Sequence, residues 1–327
     1  MNIEFHYYVI NFLCKYAGLS ESETTIISYS SQMVDTSIIS YTIDTGRGFY
    51  KSLTTQNYGF WDEYFPKNVY IPFHFFPGDI EETAAVRKDG GKNPLSCTSN
   101  SKAVKELLIN ALRTRNPYRV GIALHTFSDS WAHQNFSGTL EDWNIIEENY
   151  IIPSIGHAQA LTSPDQFSNI WTDPRLIPES SQVHNRGRFL AAAGKIYKYL
   201  CTYNQRAFDD APAILLRLQE IVGSEGREKP MEERVLDFII EEDIVKYDRR
   251  TWLEEALLLK DMPSDDQMFE GYSKLLWLKN AVFYRSSLIK DKPIKSKEGF
   301  FKSDFYYWNE AAREHLNTAK EILRNLL

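Results

Sequence analysis

The feature that most constrains the fold is an apolar stretch, VGIALHTFSDSWAH, that carries two histidines and an aspartate at a fixed spacing. The Asn-Pro pair at 116–117 predicts the start of a helix that runs to about position 135. At 3.6 residues per turn, His125, Asp129 and His133 project from one face of this helix within about 80°. They span roughly 12 Å along the axis, which is too far for one ion and suits ligands divided between neighbouring metals.

The predicted helix is apolar nearly all round, which indicates that it is buried. Titratable side chains that are removed from water need strong partners, and a cluster of divalent metals would supply them. Imidazole nitrogens and carboxylate oxygens are standard zinc ligands. The alternative is that the three polar side chains line a solvated helix face. The density of apolar residues in this stretch favours the metal interpretation.

Four further residues are candidates for the same site, and each has an ordinary alternative. His6 lies in an aromatic segment and His74 lies between two phenylalanines, so either could be a hydrogen-bonded core histidine. His157 follows a glycine in a predicted loop, and Asp35 could be a helix-end carboxylate. We favour metal ligation for all four. The histidines expected outside the site are His184, near a helix start, and His315, a core or pocket-rim residue of the last helix.

Residues typical of helix starts and helix ends recur along the chain. No strong run of period-two strands, internal repeat or low-complexity linker is visible. We therefore predict an all-α fold, formed by one domain over 1–327, with the ligand segments in 1–160 and a helical C-terminal half over 181–327. Long loops at 41–100 and 136–180 flank the histidine segments, as functional loops often do. Helices are predicted at 20–35, 101–114, 117–135, 181–204, 211–222, 230–242, 243–260, 264–280 and 303–326.

Composition limits the class of protein and its partners. The chain has 43% apolar and 25% charged residues, which is typical of a globular protein. Its net charge of -7 argues against broad nucleic-acid binding, which needs a basic face. Three widely spaced cysteines suggest no disulfide framework, and we find neither a signal peptide nor a stretch of 18 apolar residues. We therefore expect a cytoplasmic protein without a membrane span; the residues indicate no oligomeric state.

The spacing His125-x3-Asp129-x3-His133 resembles the helical metal motif of the zinc-dependent phospholipase C and single-strand nuclease superfamily. The segments FHYY, SSQMVD, PFHFFPG, ALHTFSDSWAHQNFSG and IGHA are also similar to an uncharacterised prokaryotic domain family related to that superfamily. The close resemblance covers about residues 1–160. It implies an all-α, phospholipase C/nuclease-like fold with long loops around a buried trinuclear zinc site, and an activity on phosphodiesters or phosphomonoesters.

Carried over by position, the resemblance implies a set of metal ligands with Asp35 as a bridge between two metals. The set is His6, Asp35, His74, His125, Asp129, His133 and His157. The superfamily also uses a processed N-terminal amine, whereas Met1 lies five residues before His6 here. Its last histidine is usually followed four residues on by glutamate, but position 161 is leucine. These two departures leave either two or three metals. Candidate replacements are Glu147, Glu148, Asp142 and Asp165.

The ligands imply metal-assisted hydrolysis of a small phosphoester, with zinc preferred and manganese or iron as alternatives. Neighbouring metals lower the pKa of a bridging water, and Asp35 or a nearby carboxylate would accept its proton. The alternative function is a metal-binding sensor or scaffold without turnover. No P-loop, GxGxxG, HExxH or GxSxG motif suggests another chemistry. Candidate phosphate contacts are Arg47, Lys51, Arg87, Arg186 and Arg188.

Overall fold

A computed structural model describes residues 1–57, 59, 62–147, 152–223, 229–259 and 293–327. Over these residues the chain is mainly helical, which confirms the predicted fold class in its coarse form. The α-helices are α1 (Ile10–Tyr16), α2 (Glu21–Thr36), α3 (Ile80–Val86), α4 (Lys102–Thr114), α5 (Pro117–Ala132), α6 (Pro178–Ser181), α7 (Asn185–Tyr203), α8 (Ala211–Val222), α9 (Met231–Glu241), α10 (Thr251–Ala256) and α11 (Asp304–Ile322). Two π-helices, Glu4–Val9 and Pro66–His74, and three 3-10 turns, Asp142–Asn144, Ala158–Ala160 and Phe300–Lys302, complete the helical elements of this part of the chain.

The central helix is α5, and its start follows from local chemistry. The Asn116 side chain accepts hydrogen bonds from the backbone N–H groups of Tyr118 and Arg119, and Pro117 occupies the first helical position. These contacts satisfy donors that would otherwise have no partner at a helix start. Helix α5 packs against α2, α4, α7 and α11, so it lies at the centre of the main hydrophobic core.

The closest approach in the core is between α5 and α2. A Cβ atom at Gly121 of α5 would lie 2.3 Å from the carbonyl oxygen of Ile27 and 2.5 Å from the Cβ of Ser30 in α2. Only glycine fits there, so the two helix backbones come into direct contact. This contact places Asp35, near the end of α2, on the same part of the molecule as the histidines of α5.

Two small sheets accompany the helices, and the sequence did not predict them. One has the order β2 (Phe49–Lys51), β1 (Thr42–Asp44), β5 (Ile294–Lys295); the other pairs β3 (Ile170–Thr172) with β4 (Gln182–His184). Strands β1 and β2 are antiparallel, with Ile43 opposite Tyr50, whereas β1 and β5 are parallel. Strands of two or three residues are too short to show a period-two pattern, which explains why an all-α fold was expected.

The predicted helices differ from the observed ones mainly at their ends. The helix predicted over 181–204 starts at Asn185 because Gln182–His184 pairs as β4. The helix predicted over 117–135 ends at Ala132, before Asn135 adopts a positive φ of 67°. The prediction over 243–260 is wrong for its first half, since Asp243 has a φ of 53° and the helix covers Thr251–Ala256. The helix predicted over 264–280 lies outside the described residues.

The loop predicted over 41–100 is also more ordered than expected, since it contains the π-helix Pro66–His74 and the helix α3. His74 therefore ends a helix rather than lying in a loop. Among the described residues, no helix combines the length and the apolar character that crossing a membrane would require.

Candidate metal centre

The centre is built around Asp129, one turn before the end of α5. Its Oδ1 atom lies 3.0 Å from His6 Nε2. Its Oδ2 atom lies 3.1 Å from His74 Nδ1 and 3.2 Å from His125 Nε2. Oδ1 also accepts a hydrogen bond from the amino group of Met1. All of these side chains are buried, so a single carboxylate meets donor atoms of two distant segments, at 1–6 and at His74, as well as of its own helix.

Asp35 completes what we call the first ligand group: His6, Asp35, His74, His125 and Asp129. Its Oδ1 lies 3.7 Å from His125 Nε2 and 3.9 Å from His74 Nδ1, and its Oδ2 lies 3.9 Å from His6 Nε2. The Asp35 side chain is 23% exposed, whereas the other members are buried. The group contains two sets of three donor atoms, each within 4.8 Å of one another, and both sets include His125.

The second ligand group is His133, His157 and Asp165. Asp165 Oδ1 lies 2.9 Å from His133 Nε2, and its Oδ2 lies 3.3 Å from His157 Nε2. The side chains of His157 and Asp165 are 19% and 16% exposed. The Met1 nitrogen lies 3.2 Å from Asp165 Oδ1 as well as beside Asp129, so it stands between the two ligand groups.

In four of the histidine rings, the nitrogen that points away from the ligand group lies 2.8 or 2.9 Å from a backbone carbonyl oxygen. The pairs are His74 with Thr55, His125 with Ser31, His133 with His74, and His157 with Leu161. Because a carbonyl oxygen only accepts, the ring nitrogen that faces it carries the proton. In a neutral ring the second nitrogen then presents its lone pair to the ligand group. This is the usual arrangement of histidines that bind metals.

The charge states differ between members of the centre. Burial alone would lower the pKa of the His74 ring and of the Met1 amino group, but Asp129 raises the first and, together with Asp165, raises the second to about 10. Burial lowers the pKa of His157 to about 4 and holds that of His6 well below its usual value, so both rings are neutral near pH 7. Burial alone would raise the pKa of Asp129 and Asp165, but the Met1 amino group and the nearby rings hold both well below their usual range. Neutral imidazoles and ionised carboxylates are the forms that coordinate metals.

The donor spacing also fits zinc. Ligands at ~2.0–2.1 Å from a tetrahedral zinc lie about 3.3 Å from one another. The closest nitrogen–oxygen separations are 3.0–3.2 Å in the first ligand group and 2.9–3.3 Å in the second. The same separations also suit hydrogen bonds from protonated ring nitrogens to the carboxylates. His125 offers one nitrogen to the group, so it could serve only one of the two sets of donor atoms at a time.

The amino group of Met1 is the first correction to the predicted site. Its distance in sequence from His6 suggested that it would lie elsewhere, yet it contacts Asp129 and Asp165. The π-helix Glu4–Val9 starts immediately after this segment and continues into α1 without a break. The Asn2 carbonyl oxygen accepts hydrogen bonds from the backbone N–H groups of Phe5 and His6, so the chain turns directly after Met1 and brings Met1 and His6 to the same carboxylate.

Asp165 is the second correction, because it supplies the carboxylate that Leu161 cannot. The backbone carbonyl oxygen of Leu161 instead accepts a hydrogen bond from His157 Nδ1–H. The Leu161 φ of 53° turns the chain after the 3-10 turn Ala158–Ala160, and this turn precedes the return of Asp165 toward His157. Of the other candidates, Asp142 and Glu147 are exposed, and Glu148 lies outside the described residues.

The two remaining histidines lie outside both ligand groups. His184 is exposed at the end of β4. His315 is buried, with its Nε2 atom 3.1 Å from the Pro72 carbonyl oxygen and 3.3 Å from Thr126 Oγ1. Burial lowers the pKa of His315 to about 3, so the ring is a neutral core group between α11 and the two elements that carry His74 and His125.

The basic residues proposed as phosphate contacts are engaged elsewhere or exposed. Arg87 donates to both carboxylate oxygens of Asp89 and stacks 3.6 Å from the Trp143 ring. Arg186 donates to the Gly223 carbonyl oxygen. In the described part of the chain, none of the five forms a hydrogen bond or ion pair with either ligand group. The others are Arg47 and Lys51, both exposed, and Arg188, which is half-buried.

Replacing Asp165 by alanine is expected to remove one bound metal per chain, because only His133 and His157 would remain in the second ligand group. The measurement is metal content by plasma mass spectrometry after gel filtration. Asp142→Ala is the matched control, since Asp142 is an exposed aspartate of the same loop region. An Asp165→Ala protein with unchanged metal content would show that this carboxylate is not a ligand.

Comparison with known proteins identifies a family but no activity. The chain belongs to the family of unknown function DUF6765, whose profile matches residues 1–323. The match extends the family resemblance beyond residues 1–160 and across the C-terminal helices. No curated protein and no solved structure matches the chain. The relationship to the phospholipase C and nuclease superfamily stays a prediction.

Proposed function

We propose that the protein is a metal-dependent hydrolase of phosphoesters that holds two or three zinc ions in its two ligand groups. The observation that carries this proposal is the set of histidine rings whose outer nitrogens donate to backbone carbonyl oxygens. The inner nitrogens of His74 and His125 face the buried Asp129, and those of His133 and His157 face the partly exposed Asp165. This is an arrangement that histidines of metal sites commonly have. The resemblance of the ligand order to the phospholipase C and nuclease superfamily supports the same class of reaction.

The residues that would hold the ions are the members of the two ligand groups, with the Met1 amino group beside both. Zinc bound there would lower the pKa of water and neutralise negative charge on phosphoryl oxygens. Manganese or iron would also accept this set of nitrogen and oxygen donors. His6, His74 and His125 all contact Asp129. The fold therefore sets the position and the orientation of each donor atom before any ion binds.

The substrate side of the centre is where its ligands reach solvent. Asp35, His157 and Asp165 are partly exposed, whereas Asp129 and His125 are buried behind them. We place the phosphoester at this partly exposed side. A catalytic site keeps one coordination position open, and the partly exposed side of both groups leaves room for a substrate to approach.

Asp35 is the residue that we assign to proton transfer. Its oxygens lie 3.7–3.9 Å from the neighbouring ring nitrogens, whereas Asp129 lies 3.0–3.2 Å from them. Asp35 is therefore held less tightly and has more free lone-pair capacity on its exposed side. An Oδ atom of Asp35 would accept the proton of the attacking water, which is the role of a general base.

The test is metal analysis combined with hydrolysis of p-nitrophenyl phosphate and bis-p-nitrophenyl phosphate. We expect at least two metals per chain and a turnover that chelation removes and zinc or manganese restores. The protein for this test carries its purification tag at the C-terminus. A tag at the N-terminus would remove the Met1 amino group, which is buried against Asp129. His184→Ala is the control, since this exposed histidine lies outside both ligand groups.

Each outcome separates the candidate functions. Fewer than one metal per chain after gentle purification would remove the basis of the proposal. Bound metal without turnover on either ester would favour the alternative, a metal-binding sensor or scaffold. Turnover that persists after complete removal of metal would exclude the proposed chemistry.

A further inference from the structure

A buried ion pair joins the amino-terminal π-helix to α9. Glu4 and Arg234 are both buried, and they lie 230 positions apart in the chain. Arg234 Nε donates to Glu4 Oε1 at 2.5 Å, and Nη2 donates to Oε2 at 2.6 Å. The third nitrogen, Nη1, donates to the Lys229 carbonyl oxygen. The guanidinium is thus fixed by its own helix region on one side and by Glu4 on the other.

The position of Glu4 makes this pair relevant to the centre. Glu4 begins the π-helix Glu4–Val9, and His6 follows two residues later. Residues two apart in a helix project to nearly opposite sides. Accordingly, Glu4 contacts α9 while His6 contacts Asp129 of α5. Rotation of this helical segment would move the two side chains together, so the partner of Glu4 controls where the His6 ring points.

Stability alone is a weak reason for such a pair. The desolvation of two buried charges offsets much of their attraction, and well-packed apolar replacements are often neutral or stabilising. A bidentate Arg–carboxylate pair does, however, fix relative orientation. The segment that it fixes is a π-helix, a rare form that is frequent at functional sites. A second contact, Asn2 Nδ2 to Met231 Sδ at 3.2 Å, joins the same two elements.

We infer that Glu4 and Arg234 are positioning residues for the first ligand group. Their ion pair sets the rotation of the π-helix and thereby holds His6 Nε2 toward Asp129. The inference rests on the proposed metal binding but not on phosphoester turnover. It also gives α9, in the C-terminal half, a role in the centre although α9 supplies none of the assigned ligands.

The test measures Co2+ affinity in backgrounds that isolate each ligand group. In a His133→Ala background, where the second group is disabled, Glu4→Gln is expected to weaken Co2+ binding on the order of tenfold, the lower end of the effect of residues that orient ligands. The visible absorption bands of the bound Co2+ are also expected to change, because His6 would no longer coordinate the ion in the same way. In a His125→Ala background, where the first group is disabled, Glu4→Gln is expected to leave the remaining affinity unchanged.

Glu242→Gln is the matched control. Glu242 is another buried glutamate, at the end of α9, with Lys15, Tyr16 and Arg217 as its partners. It is expected to lower the melting temperature without changing Co2+ affinity or spectrum. Equal affinities for Glu4→Gln and its parent, in a protein that binds metal, would overturn the inference and leave the proposed function intact.

The double variant E4L/R234M covers the case in which Glu4→Gln fails to fold. Apolar side chains of similar size are expected to restore folding, since both buried charges are removed together. Co2+ affinity of the first group is expected to stay about tenfold low, because the bidentate constraint is lost. Wild-type affinity and spectrum in this variant would show that packing, and not the ion pair, positions His6.

Discussion

Replacing Asp129 by asparagine is expected to have the largest effect on the centre, with a loss of zinc affinity of more than about 100-fold. This exceeds the usual range for residues that only orient ligands, because Asp129 itself contacts His6, His74 and His125. The amide keeps the size of the side chain but replaces one acceptor oxygen by a donor. Turnover of bis-p-nitrophenyl phosphate is expected to fall by at least the same factor. Zinc titration against a chelator of known affinity measures the first effect.

Asp173→Asn is the matched control for this variant. Asp173 is as deeply buried as Asp129, but its carboxylate pairs with Arg175 at 2.9 and 2.7 Å. The control is expected to destabilise the fold and to leave the metal content unchanged. Circular dichroism shows whether each variant is folded at the assay temperature. A folded Asp129→Asn protein with wild-type zinc affinity would contradict the assignment of Asp129 as the central ligand.

Replacing Gly121 by alanine is expected to have the largest effect on the fold. The new Cβ would lie 2.3 Å from the Ile27 carbonyl oxygen and 2.5 Å from the Ser30 Cβ, so α2 and α5 must separate. Overpacking of this kind costs about 3 kcal/mol, since a backbone atom cannot rotate away as a flexible side chain would. We expect the melting temperature to fall by roughly 4 °C. Differential scanning fluorimetry measures this shift.

The same substitution is expected to weaken metal binding, because α2 carries Asp35 and α5 carries His125. The Ser31 carbonyl oxygen of α2 also accepts the Nδ1–H of His125 at 2.9 Å. Gly187→Ala is the control: in α7, no heavy atom lies within 4 Å of the added Cβ, so stability is expected to be unchanged or raised by less than about 1 kcal/mol. A Gly121→Ala protein as stable as this control would refute the proposed close contact.

The parts of the site that the sequence predicted are those encoded locally. The Asn116 cap, the following proline and the four-residue spacing of His125, Asp129 and His133 are all readable from one short stretch. The structure gathers the candidate ligands into two groups of His and Asp side chains. Such grouping was predicted from residue types and from the family resemblance, whereas zinc and hydrolysis remain predictions.

The parts that were missed depend on contacts between distant segments. The Met1 amino group was excluded by its sequence distance from His6, a criterion that fails because the chain turns at Asn2 and brings both to Asp129. Asp165 was one of four candidates, and only the turn after His157 selects it. The short strands depend on pairings such as Ile43 with Ile294, which leave no periodic signal in the sequence.

The wide separation of the candidate ligands along the chain would link metal binding to folding. Asp129 meets the amino group of Met1 and the ring of His6 across 128 and 123 positions. An unfolded chain therefore offers an ion only the nearby donors of the future α5, and the complete coordination sphere arises with tertiary collapse. An ion that binds the native state alone adds about 2.7 kcal/mol of stability when its free concentration is 100 times its dissociation constant. The supply of metal in its surroundings would then set what fraction of the molecules is folded.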